Sequence, residues 1–266
     1  MKIYFFLLLF LLSGLCFAQE TVLISSQNLQ TTDSVYVYKP KGYSKKKQYP
    51  VVYLLHSHGA NYRTFSKILD LQRLSDTYGF LIVCPDGLKS SWFINSPLKS
   101  GIQYEDFFIR ELMPYINKHF RGRADASFVT GASMGGHGAL WLFVNYPASF
   151  LSAGSSSGVV NLRHSGFKKT TLAEHLGEYS DTNENFDRYS VVTNIKRLKG
   201  LSKTFIFDCG TEDYLYKANK SLRDSCDQWK IKATYIARPG AHTGTYWSES
   251  LPVHFEYFNT LLKTKL

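Results

Sequence analysis

The sequence predicts an α/β fold in which a mostly parallel sheet is covered by helices on both faces. Three observations carry that prediction. Short continuous apolar runs, such as VVYLL at 51–55, have the length and composition of strands buried on both sides. Such runs alternate with segments whose apolar residues recur at helical spacing, as the crossovers between parallel strands require. The 266 residues are 44% hydrophobic and 20% charged with 19 Gly and 8 Pro, which provides for a sizeable core and excludes disordered, collagen-like and fibrous classes.

Taken in order, residues 34–39 alternate β-branched with aromatic residues and read as a strand, and 51–55 as a buried one. Residues 64–78 place Phe65, Ile68, Leu69, Leu71 and Leu74 at helical spacing, and a short strand follows at 80–84. A second helix runs over 104–119 through Phe107, Phe108, Leu112 and Ile116. The strand at 126–130 leads into GASMGG, and the helix at 134–145 stops before Pro147. Later come a strand at 204–207, a helix at 216–230 and a strand at 233–237 ended by Pro239-Gly240. A final helix at 246–263 carries the stripe Leu251, Phe255, Phe258 and Leu262. Residues 160–200 are polar and irregular and read as an insertion or lid. No repeat or linker divides residues 19–266, so one domain is expected.

The first 18 residues place Lys2 before an apolar stretch and end in Cys16-Phe17-Ala18, the pattern of a secretory signal peptide. Cleavage is expected after Ala18, leaving a mature chain from Gln19 in the periplasm or outside the cell. The apolar stretch is shorter than the roughly 20 residues of a membrane span, and no later segment approaches that length. Removal of Cys16 leaves Cys84, Cys209 and Cys226, an odd number that argues against a disulfide framework and for small buried apolar residues. No CxxC or HExxH occurs, and His56 and His58 lack a third ligand nearby, so neither a metal nor a cofactor is expected. The net charge of +10 is scattered; the only run, Lys45 to Lys47, is an exposed loop, and no arginine-rich arm points to nucleic acid.

Gly131-Ala132-Ser133-Met134-Gly135 fits G-x-S-x-G between a strand and a helix, the setting that pushes a serine into a strained, exposed turn. Ser133 is the candidate nucleophile, and the backbone N–H of Met134, at the helix start, a candidate donor to an oxyanion. A serine hydroxyl needs a base that is itself oriented by an acid, in the chain order Ser, Asp or Glu, His. His242 follows the last strand through a Pro-Gly turn and is the expected base. Three carboxylates compete for the acid: Asp208 still belongs to the strand end, whereas Gly210 bends the chain toward Glu212 and Asp213, of which Asp213 is preferred.

The segments GASMGGHGAL, FDCGTEDYL, PGAHTGTYW, VVYLLHSHGANYRTF and YEDFFIRELMPYI, in these positions, resemble the esterase D family of α/β-hydrolases. That family includes the acetyl and feruloyl esterases of carbohydrate esterase family 1, S-formylglutathione hydrolase, tributyrin esterases and the antigen 85 mycolyltransferases. The resemblance, over residues 34–260, implies an α/β-hydrolase fold, Ser133 as nucleophile, His242 as base and Asp213 as its orienting acid. It also implies a second oxyanion donor at the backbone N–H of His58. Ser57 and Ala60 depart from glycines usual in that loop, which implies a narrowed acyl site. Ser91-Trp92-Phe93 resembles a segment near the family's active site, and Trp247 follows the base by five residues; both tryptophans read as pocket walls or as core anchors. The expected activity is that of an exported serine esterase on small or polysaccharide esters, acetyl or feruloyl among them. Acyl transfer to a sugar or lipid alcohol is the alternative within the enzyme class, and an inactive glycan-binding relative the alternative outside it.

Overall fold

A computed structural model describes residues 19–265, so the expected signal at 1–18 lies outside the described residues. Strands β1 (Gln19–Ser26), β2 (Thr31–Tyr38), β3 (Tyr49–Leu55), β4 (Leu81–Pro85), β5 (Gly122–Gly131), β6 (Ser152–Ser156), β7 (Thr204–Gly210) and β8 (Ala233–Arg238) form one sheet. Its order is β1-β2-β4-β3-β5-β6-β7-β8. The β1–β2 and β2–β4 pairs are antiparallel and the remaining pairs parallel. The helices are α1 (Leu71–Tyr78), α2 (Tyr104–Asp106), α3 (Met113–Phe120), α4 (Met134–Asn145), α5 (Ala173–Leu176), α6 (Asn185–Arg188), α7 (Val191–Asn194), α8 (Tyr216–Trp229) and α9 (Gly244–Lys265).

The pleat explains why the apolar strands are continuous rather than alternating. Val51, Tyr53 and Leu55 enter one core with residues of α3, α4 and α8, while Val52 and Leu54 enter a second core with Leu71 of α1 and Leu251, Phe255 and Phe258 of α9. Both faces of the sheet are therefore dry at its centre, as the α/β prediction requires.

Two strands escape the sequence reading for different reasons. β1 is an edge strand whose buried Val22 and Ile24 alternate with the exposed Leu23 and flanking polar residues. β6 reads Ser-Ala-Gly-Ser-Ser, with no β-branched or aromatic residue, yet it is wholly buried between β5 and β7. Its small side chains are a packing requirement: a Cβ on Gly154 would lie 2.6 Å from both His254 Nδ1 and Thr130 Oγ1.

Two predicted helices also differ in form. The one at 64–78 is interrupted because the Asp70 carboxylate accepts the Arg73 N–H at 2.9 Å and starts α1 afresh, after a 3₁₀ turn at Phe65–Lys67. The one at 104–119 contains a π-helical stretch, Phe107–Leu112, immediately before Pro114 in the first turn of α3. Proline supplies no N–H to a regular ladder, and a wider turn accommodates that loss.

Residues 160–200 are irregular, but they carry a core of their own. Leu162, Leu172, Leu176, Phe186, Val191, Ile195 and Leu198 are buried and join the cluster around α4. Arg163 grips Asp187 in a two-pronged ion pair at 2.8 and 2.6 Å. His137 of α4 donates through Nε2 to the Tyr189 carbonyl at 2.9 Å, and burial holds its pKa down at about 4, so the ring is neutral. His175 Nε2 similarly reaches the Ser90 carbonyl at 2.9 Å. Cys84, Cys209 and Cys226 are buried and unpaired, and burial pushes the Cys226 thiol up to about 12. No helix among the described residues is long and apolar enough to cross a membrane.

Asp33 points from β2 into the same core as Val35 and is 1% exposed. Burial, reinforced by the negative charge of Asp86, raises its pKa well above the ordinary 3.8. A raised carboxyl pKa means that the folded state holds the proton more tightly than the unfolded chain. Its contribution is most favourable below pH 3.8 and declines as pH rises through the folded value. Asp33→Asn removes the titration, so its stability relative to the parent should improve as pH rises above about 4 and level off once the folded value is passed. Denaturant melts from about pH 4 to pH 8 check this; a pH-independent difference would contradict it.

Candidate active site

At the end of β5 the chain turns through Ala132 and Ser133 into α4. Ser133 takes φ 57° and ψ −116°, a backbone conformation that costs a side-chain-bearing residue on the order of 1–3 kcal/mol. Its surroundings over-determine it. The Ser133 N–H donates to the Ser156 carbonyl at 3.0 Å, and its own carbonyl accepts from His137 and Val159 N–H groups at 3.0 and 3.2 Å. The turn is also compressed against β3: a Cβ on Gly131 would lie 2.4 Å from the Leu55 carbonyl oxygen, and one on Gly135 1.9 Å from it. Only glycine fits at either position.

His242 arrives on the loop after β8. Its Nε2 lies 2.9 Å from Ser133 Oγ, and its Nδ1 lies 2.8 Å from Asp213 Oδ2. With the carboxylate accepting the Nδ1 proton, Nε2 is left as the acceptor for the serine hydroxyl. The second Asp213 oxygen accepts the Leu215 N–H at 2.8 Å. Burial pushes the Asp213 pKa upward, but the hydrogen bonds from His242 and the Leu215 N–H outweigh it and hold the carboxyl below its usual value. The acid stays ionised.

The loops that carry base and acid are joined to one another. Thr211 N–H donates to the Arg238 carbonyl at 2.9 Å and Glu212 N–H to the Gly240 carbonyl at 3.0 Å, so the ladder of β7 and β8 continues past the strands. The rival carboxylates fall elsewhere. Glu212 is exposed, and Asp208 lies 2.7 Å from His254 Nε2 and accepts the Ser156 hydroxyl at 2.9 Å. His254 Nδ1 lies 2.7 Å from Thr130 Oγ1, and the whole group is buried.

Among the described residues, neither the Met134 N–H nor the His58 N–H donates to a protein acceptor. The first heads α4, where leading N–H groups lack intrahelical partners. The second lies in the loop after β3, which crosses the serine turn at Gly135, within 2.7 Å of a Cβ built there for the His56 carbonyl oxygen. His56 pins that loop: its Nε2 accepts the Gly87 N–H at 2.7 Å and its Nδ1 donates to the Ser57 carbonyl at 2.8 Å. Both of its ring nitrogens are thus committed to backbone.

The two tryptophans differ. Trp247 is half-buried with its ring edge-on to His242, centroids 5.1 Å apart. Trp92 is fully buried, which revises its reading from pocket wall to anchor. It and Phe93 both have φ 57°, a pair of left-handed residues that turns both rings inward. Three neighbours were missed from sequence. Tyr214, exposed between Asp213 and the buried Leu215, sets its ring 4.7 Å from that of His242; its place directly after the acid was the available signal. Phe167 and Thr171 touch the His58 ring from the distant 160–200 segment, and nothing local to them signals that contact. For the serine turn, Gly135→Ala should destabilise the fold by about 3 kcal/mol or more, because the new methyl meets backbone rather than a movable side chain. Equilibrium unfolding in urea measures this, and a loss under about 1 kcal/mol would refute the steric account.

Known proteins resemble this chain in sequence and fold. An esterase of Mycobacterium tuberculosis is 40% identical over 122 residues, 43% of this chain, and the match spans about a quarter of that relative, 26% of its length. The acetyl esterase of Caldicellulosiruptor saccharolyticus is 24% identical over 221 residues, covering 78% of this chain and 82% of the relative. A solved ferulic acid esterase structure superposes with a TM-score of 0.76 at 22% identity, over 91% of this chain and 98% of that one, a likeness of fold. The fold is that of the α/β-hydrolases. Residues 26–258 match the family described as "Putative esterase", so this chain belongs to that esterase family.

Proposed function

We propose that the protein is an exported serine esterase that hydrolyses carboxylic esters through an acyl-enzyme. The observation that carries this reading is the continuous relay from Ser133 Oγ through His242 to Asp213, at 2.9 and 2.8 Å, beside two backbone N–H groups without protein acceptors. Ser133 Oγ attacks the ester carbonyl while His242 Nε2 takes its proton, and the Met134 and His58 N–H groups hold the oxyanion. Collapse breaks the bond to the alcohol, which leaves with the proton from His242. Water then gives its proton to His242 and attacks the acyl carbonyl, and the acid departs as Ser133 Oγ recovers its proton. Asp213, held ionised, keeps His242 in the required tautomer and balances the imidazolium that forms twice per turnover.

The substrate side is drawn more coarsely. The signal-like residues 1–18 support export and a mature catalytic domain from Gln19. Export, together with the acetyl esterase relative and the ferulic acid esterase neighbour, supports acetyl or feruloyl esters on polysaccharide or other short-chain esters. Ser57 and Ala60 in the oxyanion loop, in place of glycines, favour the smaller acyl groups. The half-buried Trp247 ring beside His242 is the candidate wall of the site.

The mature protein should hydrolyse p-nitrophenyl acetate and take a fluorophosphonate label at Ser133, and Ser133→Ala should lose both, turnover falling by about 10³-fold or more. A variant that keeps most of its turnover would remove Ser133 from the mechanism. Methyl ferulate run in parallel sorts the acyl site: acetate turnover alone means a short acyl pocket, and ferulate turnover an aromatic one.

A further inference from the structure

Three side chains from two separate stretches of chain meet at the His58 ring. Thr171 Oγ1 lies 3.3 Å from Trp92 Nε1 and 3.0 Å from His58 Nε2. The Phe167 ring lies over the His58 ring at 4.3 Å and 31°, and packs edge-on against Trp92 at 5.6 Å. Trp92 stands 6.0 Å behind His58. An indole N–H can only donate, so the threonine oxygen accepts from Trp92, and its remaining proton and lone pair match His58 Nε2 in either neutral tautomer of that ring. Burial and the neighbouring His56 lower the His58 pKa and favour the neutral ring.

We propose that Thr171 and Phe167 are positioning residues that act through the His58 ring to aim its backbone N–H at the oxyanion, a reading that rests on Ser133 being the nucleophile. The turn around His58 is held independently of its ring on both sides, by His56 before it and, after it, by the Gly59 N–H donating to the Lys89 carbonyl at 2.8 Å. The peptide that carries the His58 N–H is fixed at its other end, where the Ser57 carbonyl accepts from His56 Nδ1 at 2.8 Å and from the Ala60 N–H at 3.1 Å, and the ring clamp adds a second hold from the His58 side to set where that N–H points. An oxyanion donor is worth about 10²–10³ in kcat and loses much of that when misplaced by about 1 Å. The segment 160–200 is thereby a working part of the site, although it supplies no atom to the ester.

The test is steady-state kinetics on p-nitrophenyl acetate with the full mature protein and Thr171→Val, Thr171→Ser and Phe167→Leu, each checked for folding by its thermal transition. Thr171→Val keeps the shape and deletes the hydroxyl; its kcat should fall about 10-fold or more with KM within about 2-fold, since the donor acts chiefly in the transition state. Thr171→Ser should restore kcat to within about 2-fold of the parent. Affinity for an alkyl trifluoromethyl ketone, whose adduct with serine carries an oxyanion, should weaken in proportion to kcat. Unchanged kcat, a rise confined to KM, or a loss that serine does not restore would each overturn the proposal. If Thr171→Val does not fold, Phe167→Leu is read by the same kcat, KM and inhibitor criteria. Failure of the parent to turn over ester or take a fluorophosphonate would instead overturn the serine-esterase reading beneath it.

Discussion

The closeness of the Leu55 carbonyl to Gly131 and Gly135 is the constraint on which the rest of the site depends. Because β5 and α4 both pass this oxygen without a Cβ between them, the turn is tighter than any side-chain-bearing sequence allows. The tightness forces Ser133 into its strained conformation. It also brings the loop after β3 across the start of α4, so that the Met134 and His58 N–H groups come from two different elements. Strain of this kind persists only where the surroundings supply more than its cost, and here the Ser133 backbone makes three hydrogen bonds to fixed neighbours.

Beneath the site lies a second polar network that secures those neighbours. Thr130 of β5, Asp208 of β7, His254 and Ser250 of α9 and Ser156 of β6 are joined by hydrogen bonds of 2.6–2.9 Å without access to water. A buried carboxylate and imidazole are costly unless each finds its partner, so the network ties four elements in one arrangement. Its members sit next to working residues: Thr130 precedes the serine turn, Ser156 offers its carbonyl to Ser133, and Asp208 lies two residues before the end of the strand that leads to the Asp213 loop. The same types of residue thus appear twice, once fastening the sheet and once in the relay around His242.

Residues 160–200 extend this logic above the sheet. The segment is anchored by His137 and His175, both kept neutral by burial and donating to carbonyls, and by its own apolar core. It is therefore held firmly enough to set its rings against His58. Trp92 serves as the backing for that contact, which accounts for its complete burial in a loop of polar composition.

The sequence by itself determined the α/β class, six of the eight strands, and the order in which Ser133, Asp213 and His242 occur, because periodicity, strand-turn-helix context and chain order are properties of neighbouring residues. Tertiary structure decided the rest. Sequence ranked Asp213 above Asp208 by a bend at Gly210, but only the meeting of β7 with α9 commits Asp208 to His254 and leaves Asp213 facing His242. β6 was illegible because its small residues answer to His254 and Thr130 packed against Gly154, not to any local strand preference. Trp92 turned inward, and Phe167 and Thr171 reached His58 across more than 100 positions, for the same reason. Contacts between distant segments are chosen by which surfaces the closed sheet brings together, and no local pattern encodes that closure.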